Sequence, residues 1–303
     1  MKAGLRGSVI VVHGGAGAGR ELDDGCIRAA DAAYARLDQG APALDAAIAA
    51  VLVMEDDERF NAGTGSALGL DGETIEMDAS VMDTQGRLGA VSCLRGVKNP
   101  VLVARDVART PHTFLSGEGA ERFARRMGHE VYREVTAKAR QEHQEMMEKL
   151  NSSEPAMPGE DNADFARYWN YAGSPRFQKG AACDTVGAVV RDAAGQFAVA
   201  GSTGGSAPSL LGRVGDTPII GSGFYCGPHG AVAATGVGEH IIRNMLASRV
   251  YRWIEEGMPL VEALKRGIAL IPSGVDVGLI AVSRSDAGAW SNAEMPQAVV
   301  GDE

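Results

Sequence analysis

The stretch that most constrains this chain is the octapeptide from Cys183 to Val190, in which an apolar run follows a long polar segment. The run begins at Thr185 and has the length and β-branched content of a buried strand. A cut immediately before Thr185 would make its hydroxyl a nucleophile and its freed α-amino group the base. Thr185 is equally acceptable as an ordinary β-branched strand residue. The octapeptide alone leaves both interpretations open.

The polar segment before it, 151–182, carries little sign of regular structure. Its turn and loop signals are Asn151-Ser152-Ser153, Pro155, Pro158-Gly159 and Ser174-Pro175. A linker of about 30 residues is unusual inside a compact domain, which suggests either processing or a lid. We therefore predict a solvated linker over 151–182, preceded by a charged helix from Ala137 to Leu150 with few core residues.

Composition narrows the class of protein. The chain has 303 residues, a net charge of -10 and a pI of about 5.2, which argues against a nucleic-acid or anionic-membrane binder. Its cysteines form no CxxC pair and give no zinc pattern. No apolar run approaches the roughly 20 residues of a membrane span, and the run after Met1–Gly7 is only about four residues, too short for a signal peptide. We expect a soluble, cytoplasmic protein.

Strands and helices are predicted on both sides of the linker. The main predictions are helices over Asp24–Leu37 and Ala43–Met54, hairpins over Leu68–Asp83 and onward to Cys93, a strand pair over Thr185–Val190 and Gln196–Ala200, and one long helix to about Glu256, capped by Thr235–Glu239. Hairpins favour antiparallel pairing, so antiparallel sheets covered by helices are the expected result.

Seven short motifs occur in one order along the chain. They are His13–Gly17 (HGGAG), Phe60–Gly63 (FNAG), Met77–Asp83 (MDASVMD), Asp184–Gly187 (DTVG), Ser202–Gly205 (STGG), Gly212–Asp216 (GRVGD) and Thr235–Glu239 (TGVGE). Together they resemble the isoaspartyl peptidase/L-asparaginase family, the plant-type asparaginases among the N-terminal nucleophile hydrolases. The resemblance implies an α+β fold, the αββα four-layer sandwich, formed by 1–303 as a single domain.

The resemblance also implies a precursor that cuts itself between Asp184 and Thr185 through an N-to-O acyl shift. The pieces, 1–184 and 185–303, stay associated as α and β subunits, and Thr185 becomes a new N-terminus. A free α-amine has a pKa of about 8, so it can take the hydroxyl proton near neutral pH. The implied reaction is hydrolysis of the side-chain amide of L-asparagine and of β-aspartyl (isoaspartyl) dipeptides through a Thr185 acyl-enzyme.

Three further positions match catalytic residues of the family. Thr203 matches a second threonine whose hydroxyl lies beside the nucleophile, although a strand-end hydroxyl can also simply satisfy a local turn. Thr235 and Gly236 match the oxyanion-hole residues, since a hydroxyl and a backbone N–H can both point at developing negative charge. The alternative for Thr235 is a simple helix N-cap.

The substrate clamp of the family matches Arg213, Asp216 and Gly238. A guanidinium binds an α-carboxylate through two hydrogen bonds, and a carboxylate binds an α-ammonium. By resemblance the backbone carbonyl of Gly238 also receives the ammonium. The alternative interpretation of Arg213 and Asp216 is a surface salt bridge at a turn.

The sodium loop of the family uses backbone carbonyls, which here fall on Met54, Glu55, Asp57, Phe60, Ala62 and Thr64. Backbone oxygens suit a hard cation, so side-chain identity matters little. Asn61 matches an asparagine that supports the nucleophile by hydrogen bonding, and His13 is expected to be structural rather than a base. No cofactor is expected to be required beyond a structural Na⁺. The expected partners are a small-molecule substrate and, by resemblance, a second copy in a homodimer of cleaved protomers.

The chain departs from the family pattern at Asp184, where these asparaginases usually have glycine. An Asp-Thr junction is similar to that of glycosylasparaginases, so hydrolysis of N4-glycosylasparagine is an alternative function. The motif His13–Gly17 and the pair Gly204-Gly205 favour the asparaginase side. A non-enzymatic binding protein on the same fold is a third alternative. The presence of the expected residue at every catalytic position argues against it.

Overall fold

The computed structural model describes residues 7–150, 162–172 and 185–302. Of the predicted cut site, Thr185 is described and Asp184 lies outside the described residues, as does most of the 151–182 segment. Within these ranges the protein is a mixed α/β structure. Its helices there include none with both the length and the apolar composition needed to cross a membrane.

The β-strands of the described residues form two sheets. They are β1 (Val9–His13), β2 (Met77–Asp83), β3 (Leu88–Leu94), β4 (Phe114–Ser116), β5 (Thr185–Arg191), β6 (Phe197–Thr203), β7 (Phe224–Gly227), β8 (Gly230–Gly236), β9 (Val277–Ser283), β10 (Ala287–Ser291) and β11 (Gln297–Gly301). The larger sheet has seven strands in the order β11-β1-β5-β6-β2-β3-β4, and the smaller has four in the order β10-β9-β8-β7. These strands pair antiparallel except for β3 with β4.

Most α-helices of the same ranges pack against one of the two sheets. The α-helices of these ranges are α1 (Asp23–Asp38), α2 (Ala43–Asp56), α3 (Pro100–Val107), α4 (Gly117–Arg126), α5 (Ala137–Leu150), α6 (Asn162–Arg167), α7 (Gly238–Asn244), α8 (Leu246–Glu255) and α9 (Leu260–Ile268). Helix α5 packs against the 162–172 segment, which itself contains α6. Single 3-10 turns lie at Arg20–Leu22 and Gly63–Gly65.

The hydrophobic core divides into clusters that follow the sheets. One joins the seven-stranded sheet to α1, α2, α3 and α4, and another joins the four-stranded sheet to α8 and α9. A third takes its residues from both sheets. Strand β1 takes part in two of them, because Ile10 and Val12 belong to the first cluster while Val9 and Val11 belong to the third. That division follows from the alternation of side chains along a strand.

Most of the predicted elements are confirmed, including α1, α2, the β2–β3 hairpin and the β5–β6 pair. The long helix predicted to run to Glu256 is wrong, because Met245 takes a left-handed conformation with φ of 47° and separates α7 from α8. The hairpin predicted over 68–83 is also wrong in its first strand. There the Gly69 N–H donates to the Thr74 carbonyl in a tight turn, and the strand begins at Met77.

The described part of the predicted linker, 162–172, is more ordered than its composition indicates. It contains α6, and Tyr171 is only 7% exposed. The buried neighbours of Tyr171 are Leu70, Met146, Met147, Leu150 and Ala207, with Phe165, Trp169 and Leu211 at the edge. Tyr171 thus departs from a solvated linker, while residues 167, 168, 170 and 172 are exposed, and the linker over 151–182 stays a prediction. Phe165, Tyr168 and Trp169 have the i, i+3, i+4 spacing of a helix, but only the tertiary contact with α5 reveals the burial of Tyr171.

Candidate active site

Strand register brings the two predicted threonines together. Thr185, the first residue of β5, lies directly opposite Thr203, the last residue of β6. Thr203 is in turn opposite Asp78 of β2. Residues directly opposite in an antiparallel pair have side chains on one face about 5 Å apart. The three strands therefore place two hydroxyls and a carboxyl in one row across the sheet.

Thr203 also serves its own turn. Its hydroxyl accepts a hydrogen bond from the Gly205 N–H at 3.2 Å, and the residue is 4% exposed. The alternative interpretation, a strand-end hydroxyl that satisfies a local turn, is thus met in the structure. The hydrogen bond from the Gly205 N–H does not exclude a role of Thr203 beside Thr185, because the strand register also places Thr203 opposite Thr185.

His13 lies beside the start of β5, on the other side from Thr203. It is opposite Gly187, and its ring is fully buried. A Cβ on Gly187 would lie 2.4 Å from the ring Nε2, so glycine is needed to admit the imidazole. Burial lowers the pKa of His13 to about 3, against a raising effect of the Thr185 backbone. The imidazole is neutral near pH 7, which suits the structural role predicted for it.

Thr235 and Gly236 end strand β8 next to the glycine turn that follows β1. The Thr235 hydroxyl accepts a hydrogen bond from the Ala16 N–H at 3.3 Å. A Cβ on Gly236, whose φ is 133°, would lie 2.3 Å from the carbonyl oxygen of Asp276. Helix α7 begins only at Gly238, with Val237 as its N-cap. The interpretation of Thr235 as a simple N-cap is therefore wrong.

The predicted clamp residues meet in one place. A Cβ on Gly238 would lie 2.9 Å from Asp216 Oδ1 and 3.0 Å from Arg213 Nη2, so Gly238 touches both charged side chains. Asp216 is 3% exposed, and its Oδ2 has no hydrogen-bond partner among the described residues. Burial raises the pKa of Asp216 to about 7, although the charge of Arg213 opposes the rise. The carboxyl is therefore buried and half-titrated near neutral pH.

The ion pair made by Arg213 differs from the one that the sequence suggests. Its Nε and Nη2 donate to Oε1 and Oε2 of Glu239 at 3.0 and 2.9 Å, a two-point contact. The partner in this salt bridge is thus Glu239 rather than Asp216. Burial opposes ionisation of Glu239, but the contact with Arg213 holds the pKa of Glu239 below its usual value.

The loop that carries the clamp, residues 204–216, is fixed by two carboxylates, one just before strand β2 and one within it. Glu76 Oε2 accepts from the Gly212 N–H at 2.6 Å, and Asp78 Oδ2 accepts from the Gly215 N–H at 3.3 Å. Asp78 Oδ1 also accepts from the Cys93 N–H at 3.0 Å. Burial raises the pKa of Asp78 to about 6, while its backbone hydrogen bonds oppose the rise. We call residues 204–216 the clamp loop.

Sequence reasoning missed Glu76, Asp78 and Glu239. The signal for the first two was an acidic pair two residues apart around the start of an apolar strand, and Asp78 stood in a quoted motif. Glu239 closes the motif TGVGE, in the first turn of α7. Their contacts with the clamp loop depend on tertiary structure, which spacing along the chain does not reveal.

Asn61 fastens the other end of the clamp loop. Its Nδ2 donates to the Gly205 carbonyl at 2.7 Å, and its Oδ1 accepts from the Ala67 N–H at 2.9 Å. Its own carbonyl accepts from the Gly204 N–H at 2.9 Å. Since Gly204 follows Thr203 directly, these bonds fix the chain as it leaves β6. Asn61 therefore fixes the chain just after Thr203, and its predicted hydrogen bonding in support of the nucleophile stays a prediction.

The predicted sodium loop runs from the end of α2 to the turn at Gly63–Gly65. A Cβ on Gly63 would lie 2.6 Å from the Glu55 carbonyl oxygen and 2.8 Å from that of Lys98. A Cβ on Gly65 would lie 2.1 Å from the Phe60 carbonyl oxygen. These close approaches explain why glycine stands at both positions, and the sodium site stays a prediction. Side-chain clusters of three or more His, Cys, Asp or Glu suited to a metal are absent from the described ranges.

A cavity of about 470 Å³ opens beside Arg213 and Glu239. Leu211 of the clamp loop and Phe165 of α6 line it. Its size is that of an ordinary small-molecule site. Of the three predicted clamp residues the lining includes Arg213, whereas Asp216 and Gly238 lie outside it, as does Thr185.

Comparison with known proteins places the chain in a family. A family model described as asparaginase (Asparaginase_2) matches residues 6–301, and the chain belongs to this family. It is 40% identical over 306 residues to an isoaspartyl peptidase/L-asparaginase of Mus musculus, covering 96% of this chain and 87% of that protein. It is 38% identical over 315 residues to the protein of that name from Macaca fascicularis, covering 97% and 93%. It is 40% identical over 301 residues to a plant-type L-asparaginase of Pyrococcus abyssi, covering 93% and 92%.

Proposed function

We propose that the chain is a self-cleaving amidohydrolase that acts on the side-chain amide of L-asparagine and on β-aspartyl dipeptides. The observation that carries the proposal is the register of β5 and β6, which sets Thr185 opposite Thr203. Family membership and the names of the relatives support the same substrate class. The proposal includes one αββα four-layer domain over 1–303, and the core clusters on both faces of each sheet support it.

Self-cleavage begins with attack of the Thr185 hydroxyl oxygen on the carbonyl carbon of Asp184. The peptide C–N bond breaks, the acyl group moves to the hydroxyl as an ester, and the α-amine is released. Water then hydrolyses the ester, which leaves Thr185 as a free N-terminus with its hydroxyl restored. The cut thereby creates the base that the reaction needs.

Amide hydrolysis then follows in two steps. The α-amine of Thr185 takes the hydroxyl proton while the oxygen attacks the side-chain amide carbon, and the leaving nitrogen takes the proton as the C–N bond breaks. The Thr235 hydroxyl and the Gly236 N–H stabilise the oxyanion of each tetrahedral intermediate. Water then attacks the aspartyl ester, and aspartate leaves as the hydroxyl is restored. Thr203 stabilises the nucleophile by its position across the strand pair.

The clamp selects the free aspartyl group. Arg213 binds the α-carboxylate, and the charged form of Asp216, with the Gly238 carbonyl, binds the α-ammonium. Asp216 is suited to this role because its Oδ2 is buried and lacks a hydrogen-bond partner among the described residues. An arriving ammonium supplies both the missing bond and the missing charge.

Denaturing gels and intact mass test the proposal directly. Wild type should give two pieces that meet between Asp184 and Thr185 and should release ammonia from L-asparagine. Thr185→Ala should stay intact and lose hydrolysis by about 10⁶-fold, the scale of removing a hydroxyl nucleophile. Thr185→Ser, which keeps a hydroxyl, should still cleave. A wild-type chain that stays intact and hydrolyses nothing would instead support a non-enzymatic binding protein.

The Asp184–Thr185 junction favours a second candidate, a glycosylasparaginase. Release of amino-sugar from N4-glycosylasparagine, measured beside ammonia release from L-asparagine, separates the two functions. The asparaginase assignment requires the ratio of kcat/KM to favour asparagine. A ratio that favours the glycosylated substrate overturns it and leaves the self-cleaving mechanism in place.

The same proposal extends to the ion, the assembly and the compartment. Backbone carbonyls of Met54, Glu55, Asp57, Phe60, Ala62 and Thr64 would hold a structural Na⁺, which neutralises their dipoles and takes no part in the chemistry. The cleaved protomers would form a homodimer in the cytoplasm. Thermal midpoints in sodium chloride and in choline chloride of equal concentration test the ion, and sedimentation tests the assembly.

A further inference from the structure

The clamp loop has little regular structure to hold it in place. Between the end of β6 at Thr203 and the start of β7 at Phe224 the structure contains no helix and no extended strand, and residues 204–216 lie in this gap. Backbone polar groups in such a segment need partners from elsewhere in the protein. The position of Arg213 is therefore set by whatever binds the loop around it.

The 162–172 segment supplies several of those partners. Asn170 Nδ2 donates to the Leu211 carbonyl at 2.8 Å, and Asn170 Oδ1 accepts from the Leu211 N–H at 3.0 Å. The Tyr171 hydroxyl donates to the Ser209 carbonyl at 2.9 Å. The Arg213 N–H donates to the Leu210 carbonyl at 3.1 Å, so Leu211 lies inside the turn that ends at Arg213. Asn170 thus binds both backbone groups of a central residue of that turn.

Apolar packing reinforces these hydrogen bonds. Tyr171 is buried against Met146 and Leu150 of α5 and against Ala207 of the clamp loop. The segment and α5 both lie before Thr185 in the chain, whereas the clamp loop lies after it. None of these contacts involves the peptide bond between Asp184 and Thr185, so a cut there does not break any of them directly.

We infer that residues 162–172 are a positioning element for the clamp, which stays bound to the clamp loop after self-cleavage and fixes Arg213 for the substrate carboxylate. This inference rests on the proposed role of Arg213. The loop is then held from two sides. Glu76, just before β2, and Asp78 of β2 bind Gly212 and Gly215, while Asn170 and Tyr171 bind Leu211 and Ser209.

The double variant Asn170→Ala/Tyr171→Phe in the full-length, self-cleaved protein tests the inference. We expect the KM for L-asparagine to rise about tenfold, because three hydrogen bonds that fix the loop are lost. Self-cleavage should remain complete and kcat should stay within about twofold, because Thr185 and the oxyanion residues are untouched. A merely structural defect would lower the active fraction, and hence kcat, and leave KM unchanged.

Tyr34→Phe is the matched control, because it also removes one tyrosine hydroxyl hydrogen bond, to Asp302, far from the clamp loop in sequence and in fold. Its KM should equal that of wild type. If the double variant cleaves poorly, Tyr171→Phe alone keeps the ring packed and gives the same comparison with a smaller rise in KM.

Hydrogen exchange gives a reading that does not depend on hydrolysis. In the cleaved wild type, amides of 163–172 and 209–212 should be protected, and in the double variant those of 209–212 should exchange faster while β5 and β6 do not change. Unchanged KM with unchanged exchange would overturn the inference, as would a wild-type 162–172 segment that exchanges like a free peptide. A protected segment in a wild type without asparaginase activity would contradict the proposed function and leave the docking intact.

Discussion

Asp216 is the residue on which the charge balance of the clamp depends. Burial raises the pKa of Asp216 from its ordinary value of 3.8 to about 7, so folding takes up a proton at this site between those two pH values. Its contribution to the free energy of unfolding therefore falls as the pH rises from about 4 to about 7, the reverse of a salt-bridged carboxylate. Binding a substrate ammonium has the opposite effect, because it favours the charged form.

This reversal predicts a pH-dependent KM. Below a pH of about 7, Asp216 becomes neutral and attracts the α-ammonium less, so the KM for L-asparagine should rise, by up to tenfold per pH unit. Steady-state kinetics from pH 5 to pH 8 measure it. Succinamic acid, which is asparagine without the α-amino group, is the control, and its KM should lack this dependence. Equal pH profiles for the two substrates would contradict the role given to Asp216.

Gly238 predicts a second effect at this scale. In Gly238→Ala the new methyl group would lie 2.9 Å from Asp216 Oδ1 and 3.0 Å from Arg213 Nη2, so both charged groups must move. The KM for L-asparagine should rise at least about tenfold while the two-piece pattern on denaturing gels is unchanged. Gly119→Ala in α4 is the matched control, since a Cβ there meets nothing within 4 Å. A KM equal to that of the control would remove Gly238 from the clamp.

At the scale of elements, Met245 separates the short helix α7 from α8. The first turn of α7, which contains Gly238 and Glu239, can therefore be oriented independently of α8. Glu239 stands in the first turn of α7, a helix of only seven residues, and Met245 then turns the chain into α8. The left-handed conformation of a non-glycine residue costs about 1–2 kcal/mol. The surrounding packing must supply that energy.

The strain at Met245 predicts a difference between two substitutions. Met245→Gly and Met245→Ala both remove the side-chain atoms beyond Cβ. Only glycine also removes the Cβ, which disfavours a φ of 47°. The glycine variant should therefore be more stable than the alanine variant by about 1 kcal/mol, which is a shift of about 2 °C in thermal midpoint. Scanning calorimetry of the two variants measures it. An alanine variant that melts higher would show that Met245 is not strained.

The sequence predicted local elements and motifs far better than it predicted their contacts. Thr185 and Thr203 could be found because each stands in a compact motif at a strand end. Asn170 could not, since its partner Leu211 is 41 residues away and belongs to a loop with no periodic pattern. The Met245 break was missed for a different reason, because neither glycine nor proline marks it. Long-range packing fixes that conformation, and no local propensity indicates it.

At the scale of the whole molecule, the two pieces that the cut would produce share one sheet. In the order β11-β1-β5-β6-β2-β3-β4, strand β1 of the N-terminal piece lies between β11 and β5 of the C-terminal piece. Strand β6 of the C-terminal piece then pairs with β2 of the N-terminal piece. Three ladders of backbone hydrogen bonds therefore cross from one piece to the other.

This interleaving predicts how the cleaved protein unfolds. The pieces should elute together from a sizing column and separate only in denaturant, in one cooperative urea transition, because neither can complete the sheet alone. Refolding of the cleaved protein should depend on concentration, whereas refolding of the uncut Thr185→Ala chain should not. Fluorescence-detected refolding at several concentrations measures both. Pieces that separate in native buffer would contradict the sheet order.

The ion pair between Arg213 and Glu239 bears on how tightly a ligand can be held. The Arg213 side chain is 18% exposed, so its guanidinium has exchanged only part of its hydration for the Glu239 carboxylate before any ligand arrives. In the proposed binding mode, the α-carboxylate of the substrate replaces the Glu239 carboxylate at the Arg213 guanidinium. The binding free energy is then the difference between two similar ion-pair contacts. Such a difference is small in either direction. In the proposed reaction aspartate carries the same α-carboxylate as asparagine, so we expect Arg213 to bind product and substrate with similar free energies.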